Sequence, residues 1–149
     1  MLGKSAPPTY ELGEFLVKVI GLNSWPGSAP PNLRRVAFHP ACHGRALHLE
    51  IVHTILLQSL KGIELLDFPM AEQCCGFGGA FSTDLPKVST GIGLDKLNQI
   101  ESVQPDAVLS TDMGCLMHLR GLSKRRGSDL PMMHFAQYLI RCAEVEAIE

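Results

Sequence analysis

Four cysteines carry the chemistry this sequence can offer: Cys42, Cys74, Cys75 and Cys115. Thiolates ligate soft metals and cycle between dithiol and disulfide. Here 31 residues separate Cys42 from Cys74, and 39 separate Cys75 from Cys115, so no local loop gathers them. The fold must do it. The run Cys75-Gly76-Phe77-Gly78-Gly79 supplies glycines that accept positive φ and let backbone approach a bulky anionic group. Backbone N–H groups in such a loop can donate to sulfur and tune a cluster's potential.

The elements that would position these thiols alternate along the chain. Val36–Phe38, Ile63–Phe68, Asp106–Ser110 and Pro131–Met133 read as short strands. Arg45–Leu60, Pro86–Val103 and Leu116–Lys124 read as helices, and a last helix runs through Cys142. Alternation of this kind predicts an α/β domain, a small parallel sheet of about four strands flanked by helices. Cys42, Cys74, Cys75 and Cys115 then fall on loops at the strand carboxyl ends, the rim where open parallel sheets bind ligands. Cys42 and Cys115 also open helices, whose N-termini favour thiolate.

Ahead of this pattern, residues 1–33 are expected to form an N-terminal helix and a Pro/Gly-rich linker, leaving 34–149 as the cysteine-rich domain. Leu12, Phe15, Leu16, Val19 and Ile20 recur on one helical face, with Thr9 as the expected N-cap and Gly21 as the stop. Pro- and Gly-rich punctuation lies at Lys4–Pro8 and Asn23–Asn32.

Composition narrows the classes. The 149 residues suit one domain with its own core, needing no disulfide staples. Thirteen Lys and Arg against fifteen Asp and Glu leave a net charge of −2, which argues against a nucleic-acid surface. The basic run Lys124–Arg126 reads as a solvated helix end. No apolar run approaches the roughly 20 residues of a transmembrane helix, and Met1–Pro8 shows no export signal. A cytoplasmic location is expected, where five cysteines serve as ligands or redox groups rather than a disulfide framework.

Three occupants suit the rim. Structural zinc usually takes C-x-x-C knuckles, which this chain lacks. A multi-iron cluster suits adjacent thiolates better, because each can ligate a different iron. A dithiol–disulfide switch at Cys74–Cys75 would leave Cys42 and Cys115 without a role. Zinc and the switch stay open beside the cluster. A dinucleotide fingerprint does not fit, since G-x-G-x-x-G starting at Gly76 would need glycine where Phe81 stands.

The stretches Cys42-His-Gly-Arg-Ala-Leu, Cys74-Cys-Gly-Phe-Gly-Gly-Ala-Phe-Ser and Thr111-Asp-Met-Gly-Cys115-Leu-Met-His resemble the CCG cysteine-rich domain. That domain occurs in the heterodisulfide reductase B subunit, the glycolate oxidase iron–sulfur subunit, the anaerobic glycerol-3-phosphate dehydrogenase C subunit and the lactate-utilisation A proteins. The likeness runs from about Thr9 to the C-terminus and is nearest to the second half of the lactate-utilisation A type. It implies an iron–sulfur electron-transfer subunit or domain of an oxidoreductase complex that oxidises lactate or a similar 2-hydroxy acid, not active alone. By position, Cys42, Cys74, Cys75 and Cys115 match the cluster cysteines. The implied cofactor is a 4Fe-4S cluster, non-cubane in the heterodisulfide reductase relative. The implied partners are subunits of the lactate-utilisation B and C types. The alternative is a structural zinc-binding or metal-free docking module with no redox role.

Two departures from the family pattern carry expectations. Full-length relatives hold two copies of the domain and this chain matches the second, so apolar surface at Tyr10–Ile20 and around Phe77 and Phe81 is expected to be exposed and to drive self-association. His118 stands where the heterodisulfide reductase version has its last cysteine, which makes it a candidate further ligand; a solvent-facing imidazole is the plainer alternative.

The remaining candidates have ordinary readings. Cys142 is expected to pack on the last helix, and Asp112 to cap the turn at Cys115. His39 and His43 flank Cys42 and could orient a substrate or donate to a thiolate, although solvated loop histidines are commoner. His48 and His53 are expected at or near the surface.

Overall fold

The computed structural model describes residues 8–146. The reading of the first seven residues, including most of the Lys4–Pro8 stretch, lies outside them. The sheet has four parallel strands, β1 (Arg35–Phe38), β2 (Glu64–Leu66), β3 (Ala107–Ser110) and β4 (Met132–His134), in the order β2-β1-β3-β4. The expected α/β class is therefore what the chain adopts.

Alternate residues of each strand feed two cores. Val36, Leu109 and Met133 face one layer with Leu56, Leu57, Phe135, Tyr138 and Leu139. Ala37, Val108 and Met132 face the other, with Leu97, Ile100, Leu116, Leu119 and Leu122. The period-2 alternation thus sets α3 (Glu50–Gln58) and α7 (Phe135–Glu146) on one face, and α5 (Pro86–Glu101) and α6 (Met113–Arg125) on the other. β1 is followed by a crossover to β2 on one side, and β3 then returns to the other side of β1. The β1–β3 seam is a topological switch point, where the loops diverge and leave a crevice.

Three expectations change locally. The single helix over Arg45–Leu60 is two, α2 (Cys42–Ala46) and α3, broken at His48 with φ 54°. The break lets Leu49 turn into the core, 1% exposed, while Leu47 stays 61% exposed. The helix expected at the N-terminus begins at α1 (Leu12–Glu14) and widens into a π turn over Phe15–Val19. Its cap is Glu11, whose carboxylate accepts from Gly13 and Glu14 N–H groups, not Thr9. The wide turn, with Ile20 N–H donating to Phe15 O, rotates the expected apolar face: Leu16 and Val17 pack inward, whereas Leu12, Phe15, Val19 and Ile20 are exposed. Gly21, at φ 76°, ends the helix as expected. A short helix not anticipated, α4 (Ala80–Asp84), follows the glycine-rich loop.

His53 is the third correction. It is buried, with Nε2 3.0 Å from the Glu11 carboxylate, because its ring packs against Phe38 and Phe135 and needs a polar partner there. Burial works to raise the Glu11 carboxyl, but His53 and the two backbone donors hold it below its usual range. The segment from Leu22 to Leu33 is irregular and packed: Trp25 Nε1 donates to Leu139 O, and Tyr138 OH donates to Leu33 O.

Candidate metal centre

Each of the first three strands ends one loop short of a cysteine. Cys42 opens α2 after β1, Cys74 and Cys75 lie in the loop after β2, and Cys115 sits in the first turn of α6 after β3. Parallel pairing aims all three loops at the same rim. The Cys115 turn is held by Asp112, whose carboxylate accepts from Cys115 N–H at 2.7 Å, the capping role expected of it.

Cys75 and Cys115 are buried, and their Sγ atoms stand 2.7 Å apart. The hydrogen bond from Cys115 holds the Cys75 thiol well below the usual thiol range, against the opposing effect of burial, and the nearby His39 ring adds to the lowering. The same bond, with burial and the Cys75 charge, pushes Cys115 far up. Loss of one proton from the pair is thus favoured and loss of a second opposed. A metal ion is one cation such a group could hold.

His39 completes this buried group. It lies one residue past β1, at the switch point, and its N–H donates to Leu109 O of β3 at 2.7 Å. Its nitrogens and the Cys75 and Cys115 sulfurs include three ligand atoms all within 4.8 Å of one another. His39 is 0% exposed, and its ring has no hydrogen-bonding neighbour among the described residues other than the Cys75 sulfur. An unsatisfied buried polar group costs about 1–3 kcal/mol. The sequence reading named His39 but favoured a solvated ring. What buries it is the closure of β1 onto β3.

Cys42 and Cys74 form the outer part of the rim. Both are exposed, and they adjoin each other. Gly76 N–H donates to Cys74 Sγ at 3.3 Å, and Arg45 Nη2 lies 3.8 Å from Cys42 Sγ. Partial burial raises the Cys74 thiol despite the Gly76 donor, and the neighbouring Cys42 and Cys75 raise it further. The glycine-rich loop takes this path because Gly76, Gly78 and Gly79 all have positive φ. At Gly76 a Cβ would come 2.5 Å from Ser89 O.

A residue not singled out in the sequence supports this loop. Lys96, in the middle of α5, is 0% exposed and donates from Nζ to the carbonyl oxygens of Met70 and Ala71 at 3.0 and 2.6 Å. The ammonium also lies over the Phe68 ring, 4.8 Å from its centroid. Burial pulls its pKa down to about 8, with Arg45 adding to that, while Cys75, Cys42 and Cys74 pull the other way. Its electrostatic partners therefore include three of the four candidate ligands. Ser89, Gly93, Lys96, Leu97 and Ile100 form the buried stripe of α5, so a lysine inside an apolar stripe was the signal available.

His118 contacts other groups. Its Nε2 is 3.5 Å from Ser89 Oγ, its ring lies 6.1 Å from the Phe77 ring, and it lines an open polar groove with Ser82, Thr90 and Arg125. The buried His39–Cys75–Cys115 group does not include it. His43 is exposed, with Nδ1 3.5 Å from Asp112 Oδ2. Cys142 is fully buried in the opposite core, and burial pushes its thiol up to about 11, in keeping with the packing role expected of it. Among the described residues no helix is long and apolar enough to cross a membrane.

Comparison with known proteins agrees with this geometry. The chain is 33% identical over 137 residues to lactate utilization protein A 2 of Bacillus cereus (strain Q1), covering 91% of this chain and 55% of that protein. It is 37% identical over 135 residues to lactate utilization protein A of Oceanobacillus iheyensis, covering 90% of this chain and 54% of that one. The chain spans about half the length of the curated relatives it matches. The profile of the CCG family, described as a cysteine-rich domain, matches residues 36–120, from β1 into α6 and across all four candidate ligands. The chain belongs to the CCG cysteine-rich domain family.

Proposed function

We propose that this chain is an iron–sulfur electron-transfer domain of an oxidoreductase complex that oxidises lactate or a similar 2-hydroxy acid. Cys42, Cys74, Cys75 and Cys115 would hold a 4Fe-4S centre, which when bound supplies one-electron transfer. The observation that carries this reading is the convergence of the buried Cys75 and Cys115 sulfurs and the His39 ring within 4.8 Å, beside the exposed Cys42–Cys74 pair. Soft sulfur donors suit iron and sulfide. Cys74 and Cys75 are adjacent yet point to different neighbours, Cys42 and Cys115, as ligands of different irons in one cluster would. Lys96 and Arg45 bring positive charge to the rim, and the Gly76 N–H donates to sulfur.

The substrate class and partners rest on the relatives, whose names place them in lactate utilization. Subunits of the lactate-utilisation B and C types are the proposed partners, and the cytoplasm the proposed location. The exposed Tyr10, Leu12, Phe15, Val19 and Ile20 supply apolar surface for association, whereas Phe77 and Phe81 are half-buried. Complete turnover would need the other subunits.

One observation favours zinc as a second reading. His39, Cys75 and Cys115 converge within 4.8 Å, close enough for three ligands of one tetrahedral ion. It would leave at least one thiol of the exposed Cys42–Cys74 pair without a role. Anaerobic purification followed by metal and acid-labile sulfide analysis separates the two. About four iron and four sulfide per chain are expected for the cluster; stoichiometric zinc without sulfide would overturn it.

A further inference from the structure

We infer that His39 is a ligand of the metal centre, so that its buried end is held by one imidazole and two thiolates rather than by thiolates alone. The inference rests on the reading of the rim as a metal centre. Its own support is separate: the ring is fully buried, it faces no hydrogen-bonding group among the described residues except the Cys75 sulfur, and it stands with the Cys75 and Cys115 sulfurs inside a 4.8 Å group. A packing histidine in this protein is satisfied otherwise, as His53 is by Glu11 at 3.0 Å. Neutral imidazole offers a lone pair at one nitrogen, and a metal is the partner that suits a lone pair facing thiolate sulfur.

The location gives the ligand its rigidity. His39 is tied through its N–H to Leu109 O at the β1–β3 switch point, while Cys115 is fixed by the Asp112 cap after β3. The centre would thus have a buried anchor of His39, Cys75 and Cys115 and a solvent edge of Cys42 and Cys74. As a fifth donor beside four thiolates, a neutral imidazole adds no negative charge to the centre. His39, set by the first strand, would then play the part for which His118 was the candidate from spacing.

Pulsed EPR on the full chain, purified anaerobically after labelling with ¹⁵N-histidine and poised in its paramagnetic state, tests this directly. A hyperfine coupling of a directly bonded ¹⁵N is expected. It should persist in His43→Ala and His118→Ala, and disappear in His39→Cys, a variant that keeps a ligand atom and retains iron and sulfide. Normal iron and sulfide without directly bonded nitrogen, or a coupling that survives His39→Cys, would overturn the inference while leaving the cluster intact. If zinc is found without sulfide, the cluster reading fails and zinc-edge X-ray absorption decides the ligand. An imidazole shell lost in His39→Cys supports His39, and a shell without imidazole overturns it. A protein that binds neither metal overturns both.

Discussion

Cys75 and Cys115 are 40 residues apart in the chain, yet their sulfurs meet at 2.7 Å across the β2 and β3 loops. Adjacent Cys74 does not share this contact; it turns towards Cys42. Treating the metal-free protein with diamide should therefore form a Cys75–Cys115 disulfide first, the oxidant taking up the two electrons and two protons. Peptide mapping under non-reducing conditions reads the linkage. A Cys74–Cys75 disulfide as the first product would contradict the arrangement.

Lys96 holds the loop that presents Cys74 and Cys75 by its bonds to Met70 and Ala71. Lys96→Met keeps the apolar stem against Phe68 and removes a buried charge, so urea stability should change by no more than about 1 kcal/mol. The metal should suffer more, with roughly tenfold faster loss to a chelator, as for other groups that orient ligands. Equal metal retention in the variant would show that the loop does not depend on the ammonium.

The same lysine gives a pH signature. Its folded pKa is pulled down to about 8 from a reference of 10.5, so between these values the unfolded chain holds a proton that the folded chain has released. This group's contribution to stability therefore rises with pH through that window and is at its least favourable below about 8. NMR of the lysine side chains in the metal-free protein should show one titration near pH 8, displaced upward when an anionic centre is loaded. A midpoint at the ordinary lysine value would contradict the burial argument.

Gly76 and Gly79 separate steric from conformational demands. Both have positive φ, but a Cβ at Gly76 meets Ser89 O at 2.5 Å, whereas one at Gly79 meets nothing within 4 Å. Gly79→Ala should cost about 2 kcal/mol, the penalty of a mirror-image extended backbone (φ 56°, ψ −112°) alone. Gly76→Ala should cost about 3 kcal/mol, because backbone must move, and should also lower metal content. Urea denaturation of the two variants compares them, and equal costs would contradict the close approach.

Much of this was legible in the sequence where the cause was local. Val36, Val108 and Met132–Met133 lie in short apolar runs, and the alternation of such runs with helical spacing foretold the parallel sheet. Gly21 and Asp112 mark helix ends by chemistry that needs no distant partner. What escaped was set by tertiary contact. The break at His48 follows from burying Leu49, and the partner of His53 lies 42 residues away at Glu11. His39 becomes a buried ring facing the Cys75 sulfur only once β1 and β3 pair. The rim itself was foreseen from strand ends; its division into a buried pair, Cys75 and Cys115, and an exposed pair, Cys42 and Cys74, was not.

The central claim is that these cysteines hold a centre that takes and gives single electrons. Reductive titration of the anaerobically purified chain, followed by EPR, tests it most directly. A half-integer-spin signal of about one spin per chain is expected, reversible on reoxidation and absent from Cys75→Ser and Cys115→Ser. A protein silent at every potential, carrying stoichiometric zinc and no acid-labile sulfide, would contradict it.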